Sequence, residues 1–204
     1  MHIMDILWDG IFASMDLLRV FVEEIESQCI EIPEKFVREQ KFYRQGNDEV
    51  TVHKGLDDMT WSLDEVFINY FPNLFRKSAL LTLYGEFENL LNNLCNDLKK
   101  EKKLKLSFND MSDRGIDRAR KYLEKVAGIK VVNQSSWEKI KQLQELRNLI
   151  AHNNGLVKDK EKYYNIKENF PHLSGETEII LHAGFLEAAV EIFISYFKEI
   201  KGKC

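Results

Sequence analysis

Over residues 73–103 the apolar side chains recur at helical spacing without an internal proline: Leu80, Leu83, Tyr84, Phe87, Leu90, Leu91, Leu94 and Leu98. Gaps of three, four and one place them on one wide face of a helix about 45 Å long. Such a face has to be buried, so the chain reads as all-α, an antiparallel helical bundle.

Shorter elements fit around that helix. Ile11, Met15, Leu18, Val22 and Ile25 form a second stripe, which Ile32-Pro33 is expected to interrupt before another helix over residues 34–43. Residues 46–58 are turn-rich, and the alternation of Val50 and Val52 leaves room for one short hairpin. Ser62 and Glu65 have capping-box spacing, and Pro72 should break or kink the helix they open. Ser112 or Asp113 is expected to cap a helix ending at Gly128. Residues 158–174 contain Pro171 and read as an irregular connection; residues 178–181 suit a short extended piece, and residues 183–200 a last amphipathic helix. The division expected is an N-terminal helical extension, 1–60, joined to a helical domain, 61–204, in one compact unit.

One further helix, from Trp137 onward, carries the chemistry. Trp137, Ile140, Leu143, Leu146 and Ile150 form its apolar stripe, and Asn153-Asn154-Gly155 should end it in a left-handed turn. Arg147 falls within that stripe, with Asn148 and His152 together on the neighbouring face. A guanidinium at a position due for burial needs something anionic to meet it. Arg147 and His152 are five residues apart, about 140° around a straight helix. Either the helix stops before His152, or two copies of the chain share the site.

Arg147-Asn148-x-x-x-His152 resembles the Arg-polar-x(n)-His motif of the HEPN superfamily, all-helical domains found in many prokaryotic ribonuclease toxins and abortive-infection effectors. The likeness is sharp over residues 137–157 and architectural over about 63–200; residues 1–60 lie outside it. The resemblance implies a HEPN-like bundle, a homodimer with two motifs lining one cleft, and RNA as substrate. It also implies a metal-independent endoribonuclease that uses no cofactor and is restrained by an antitoxin or other regulatory protein. The residue types suit that chemistry. An imidazole transfers protons near neutral pH, a guanidinium fork matches phosphate oxygens, and Asn148 can orient either but cannot be a base. Family members carry an acidic residue on the long helix that pairs with the arginine. Glu86 and Glu88 are both placed for it, and the Leu83–Leu90 side of the stripe favours Glu86. The alternative is a catalytically inert nucleotide- or protein-binding module; a purely structural subunit is a third reading.

Composition narrows the field further. A net charge of −4 leaves no global basic field of the kind passive nucleic-acid binders carry. Arg114, Arg118 and Lys121 share a helix face and are candidates for RNA backbone contacts, as is the lysine run from Lys99 to Lys105. His2, His53, His152, His172 and His182 are scattered, so no metal site is expected. Cys29, Cys95 and Cys204 lack disulfide or metal spacing, which favours a reducing cytosol. The amino terminus carries Asp5 and Asp9 where a signal peptide needs basic residues, and no apolar run is long enough to span a bilayer. A soluble cytoplasmic protein with no membrane partner is the expectation.

Overall fold

The computed structural model describes residues 3–130 and 134–204. Among them run six α-helices: α1 (Ile3–Glu39), α2 (Phe71–Glu101), α3 (Gly115–Lys125), α4 (Gln134–Asn153), α5 (Lys160–Lys167) and α6 (Phe185–Lys201). Two small antiparallel sheets accompany them, β1 (Lys41–Gln45), β2 (Asp48–His53) and β3 (Leu56–Asp57) in one, β4 (Leu173–Ser174) and β5 (Ile180–Leu181) in the other. The protein is therefore mainly α, 68% helical, and not all-α.

Four helices build the bundle. α1 packs on α2 and α6, and α4 packs on the same two from the other side. Glu26 meets Arg76 while Cys29, almost a turn later, meets Pro72, a turn earlier, so α1 and α2 run antiparallel. Arg19 with Glu191 and Phe12 with Lys201 give the same sense for α1 and α6. Tyr84 beneath Arg147 and Lys77 beside Gly155 give it for α2 and α4. α2 and α6 are thus parallel across the core, where Phe87 and Phe193 stack with centroids 4.3 Å apart. The α2 stripe is buried from Ala79 to Leu98 except at the half-buried Leu90, and Ile140, Leu143 and Leu146 of α4 close over it. Residues 1–60, expected as an extension, supply α1, and its Trp8, Ile11, Met15 and Val22 lie in this same core.

Several boundaries differ from expectation, each for a physical reason. Pro33 sits inside α1 without ending it; a lost hydrogen bond there is offset by burial of Cys29 and Phe36 on either side. The helix expected over residues 34–43 consequently stops at Glu39, and Tyr43 belongs to β1. Pro72 does not break its helix either. The preceding turns, Glu65–Tyr70, widen to π-helix, so Phe71 N–H reaches Val66 O and the missing Pro72 donor is absorbed. α3 is capped by the extended backbone of Arg114 rather than by Ser112 or Asp113. Within the expected connection 158–174 lies α5, capped by Asp159, whose Oδ1 accepts from Lys162 N–H at 3.0 Å. Phe36, Leu63 and Phe67 form a second, smaller cluster under the β1–β3 sheet, with the buried His53 ring edge-on to Phe36 and Phe67.

Candidate active site

α4 presents Arg147 to α2 because Leu143, Leu146 and Ile150 anchor that side in the core. Half-buried, the guanidinium lies 5.9 Å from the Tyr84 ring centroid, and its Nη1 donates to Asn148 Oδ1 at 2.9 Å. Among the described residues no carboxylate comes within ion-pairing distance of it. Glu88 lies half-buried further along α2, its Oε1 so near Gly115 that a β-carbon there would approach to 3.0 Å. Gly115 also has φ +54°, so both backbone and neighbour call for glycine. Glu86, favoured from sequence, is exposed on α2.

Tyr84 completes the floor. It is buried, and its hydroxyl has no hydrogen-bond partner. Burial, and then the nearby Glu88 carboxylate, push the phenol well above its usual range, while Arg147 pulls it back. The far end of the seam is held by Lys141, bonded to Asp117 at 2.7 Å and to Gln144.

α4 continues through Asn153, so the helix does not end before His152 and the chain does not turn that ring inward. His152 is exposed on the last turn, without a hydrogen-bond partner among the described residues. Within one chain Arg147 and Asn148 are brought together, and His152 points elsewhere. The helix then closes as read from sequence: Asn154 and Gly155 have φ of +53° and +79°, and Gly155 N–H bonds Leu149 O at 3.0 Å.

Within the arginine-face candidates, Arg114 has no side-chain hydrogen bond or ion pair among the described residues. Arg118 lies over the Phe108 ring at 5.0 Å, and Lys121 pairs with Asp113 at 2.7 Å. Lys99, Lys100 and Lys103 border a shallow cleft near Ser107. Cys95 is buried, and burial pushes its thiol up to about 12; Cys29 is raised for the same reason. Neither suits a nucleophile. No group of three or more His, Cys, Asp or Glu among the described residues could hold a metal ion; His2 lies outside them. No described helix is long and apolar enough to cross a membrane.

Sequence reasoning missed a cleft one turn from Arg147, of about 420 Å³, between α2, the end of α4 and Glu178. At its base the buried Lys77 Nζ bonds Glu178 Oε1 at 2.5 Å. Its signal was present: Lys77 continues the α2 stripe at the spacing of Asn73, Leu80 and Tyr84, a cation on a core face. No family model, curated protein or solved structure matches the chain.

Proposed function

We propose that the protein is a metal-independent endoribonuclease of the HEPN kind, acting as a homodimer in the cytoplasm and restrained by an antitoxin or regulator. The observation that carries this reading is the state of Arg147. It is a half-buried guanidinium whose hydrogen bond goes to a neutral amide and whose charge faces an aromatic ring, with no carboxylate among the described residues within ion-pairing distance. Such a group is prepared for an incoming anion, and a phosphate matches its fork.

In the reaction, the RNA 2′-hydroxyl attacks the adjacent phosphorus. The bond to the 5′-oxygen breaks, leaving a 2′,3′-cyclic phosphate and a 5′-hydroxyl. Arg147 stabilises the charge gathered on the non-bridging oxygens, and its position is fixed before the reaction begins. Asn148 holds the guanidinium through Oδ1 and keeps its amide N–H groups for ribose or phosphate. His152 takes the proton from the 2′-hydroxyl and delivers it to the departing 5′-oxygen, so the imidazole ends the step as it began. Because His152 lies about 140° from Arg147 on one helix, it acts on the phosphate held by the partner copy's Arg147.

Purified protein incubated with end-labelled RNA in EDTA is expected to cleave it. His152→Ala should abolish cleavage and Arg147→Ala should lower it by about 100-fold or more, both keeping the helical signal; activity retained in His152→Ala would sink the reading. The placement of His152, exposed and turned away from Arg147 within a single chain, favours a second reading, an inert anion-binding module. There, His152→Ala is silent and only Arg147→Ala weakens binding.

A further inference from the structure

We propose that the cleft beside Arg147 receives one unstacked nucleobase of the RNA, the adjoining phosphate resting on the Arg147 guanidinium. This inference rests on the ribonuclease reading and gives it a specificity site. Leu74, Leu81 and Ile150 form apolar walls, and Ser78, Asn154 and Glu178 supply the polar groups. The volume, about 420 Å³, is in the range of small-molecule sites.

The charge pattern selects the ligand. Lys77 is buried to 6% exposure and is already bonded to Glu178, so the cleft has no cation left over for an anion. Glu178 keeps 45% of its side chain exposed and therefore presents a carboxylate acceptor to an occupant. Ser78 donates its hydroxyl hydrogen to Leu74 O at 2.9 Å and is left to accept. Asn154 adds an amide, which can both donate and accept. Flat apolar walls, a net-neutral floor and several acceptors fit an uncharged heteroaromatic ring bearing N–H groups. Tyr70 at the mouth supplies an aromatic face, the kind of surface on which unpaired bases stack.

The anion-binding group lies about one helical turn before the cleft on α4. Arg147, Ile150 and Asn154 recur at three and four, so they share one side of α4 and its end. From Arg147 to Ile150 the backbone rises about 4.5 Å along the helix axis, so a nucleotide seated in the cleft runs its backbone toward the Arg147 side of α4. Glu178 accepts from an exocyclic amino group and opposes a carbonyl at the same place, which favours cytosine over uracil.

Calorimetric titration of the full chain with CMP and with UMP tests the cleft independently of cleavage. Saturable CMP binding, tighter than UMP, is expected. Ser78→Trp, an exposed position whose new ring fills the cleft, should weaken CMP by about tenfold or more, and Arg147→Ala should weaken it as well. Asn154→Gly keeps the positive φ and so the fold, and it should alter which base flanks the cut when RNA ends are sequenced. CMP binding that Ser78→Trp leaves unchanged, or no CMP binding together with an unaltered base preference in Asn154→Gly, overturns the proposal. Saturable, Ser78-dependent CMP binding by a protein that cleaves no RNA supports the cleft and removes the ribonuclease reading instead.

Discussion

Two arginines line opposite seams of α2, and their surroundings differ. Arg76, against α1, is met by a carboxylate: its Nε and Nη2 reach the Glu26 oxygens at 2.9 and 2.5 Å, with both side chains 12% exposed. Arg147, against α2 from α4, is met by an amide oxygen and a phenol ring. The first charge is neutralised inside the fold. The second has no carboxylate within ion-pairing distance among the described residues, which on the proposed reading leaves it for an anion. A buried guanidinium with its carboxylate belongs to architecture, and one without it marks a place where an anion completes the structure.

The contrast can be broken at its strongest point first. Glu26→Ala should destabilise the protein by about 3 kcal/mol, because it removes the carboxylate hydrogen-bonded to the Arg76 guanidinium; denaturant unfolding measures this. Arg147→Ala should lower RNA cleavage by about 100-fold or more while moving the unfolding free energy by less than about 1 kcal/mol. If both variants lose stability alike, the two seams are equivalent and the distinction collapses. Inorganic phosphate sharpens it: at ten times its dissociation constant it should add about 1.4 kcal/mol to wild type, and nothing to Arg147→Ala, in thermal unfolding.

The smallest effect concerns Tyr84, which has no counterpart at the Arg76 seam. Its hydroxyl lacks a partner, so Tyr84→Phe should be neutral or stabilising by about 0.5 kcal/mol at pH 7. Because the folded-state phenol is raised by burial, its contribution is complete below the unfolded value of about 10. It is lost as pH rises above that. Wild type should therefore weaken more than Tyr84→Phe in alkaline unfolding, and an equal loss would show that the hydroxyl is solvated.

What could be read from sequence follows from which forces act locally. The α2 and α4 stripes were legible because a helix period repeated over many residues leaves little choice, and Asn154-Gly155 announced a left-handed stop. Arg147 stood out for the same reason, as a charge within a stripe. Pro33 misled because tertiary burial around Phe36 outweighs a local break. α5 was passed over although Asp159 is a cap and Tyr163, Ile166 and Phe170 keep helical spacing; Pro171 drew the reading toward a loop. Glu86 and Glu88 were beyond periodicity, since which glutamate faces the α4 side depends on where α3 and Gly115 sit. The cleft was hidden because Glu178 reaches it from a distant segment, and only the folded chain brings it to Lys77.

That distant segment returns to α4 in a particular way. Gly155 O accepts from Ile179 N–H at 2.8 Å, and Val157 N–H donates to Thr177 O at 2.9 Å, so the chain leaving the motif helix is pinned to the chain coming back. Residues 158–176, including α5, thus form an excursion closed at its own neck. Within it Tyr163, Ile166, Phe170 and Leu173 are buried in the main core, Phe170 against Phe185 of α6, so the excursion is packed into the fold as well as tied at its neck. The end of α4 therefore sits on a platform held twice, by two backbone hydrogen bonds at the neck and by four core side chains behind it, and a deletion in residues 158–176 would loosen both at once.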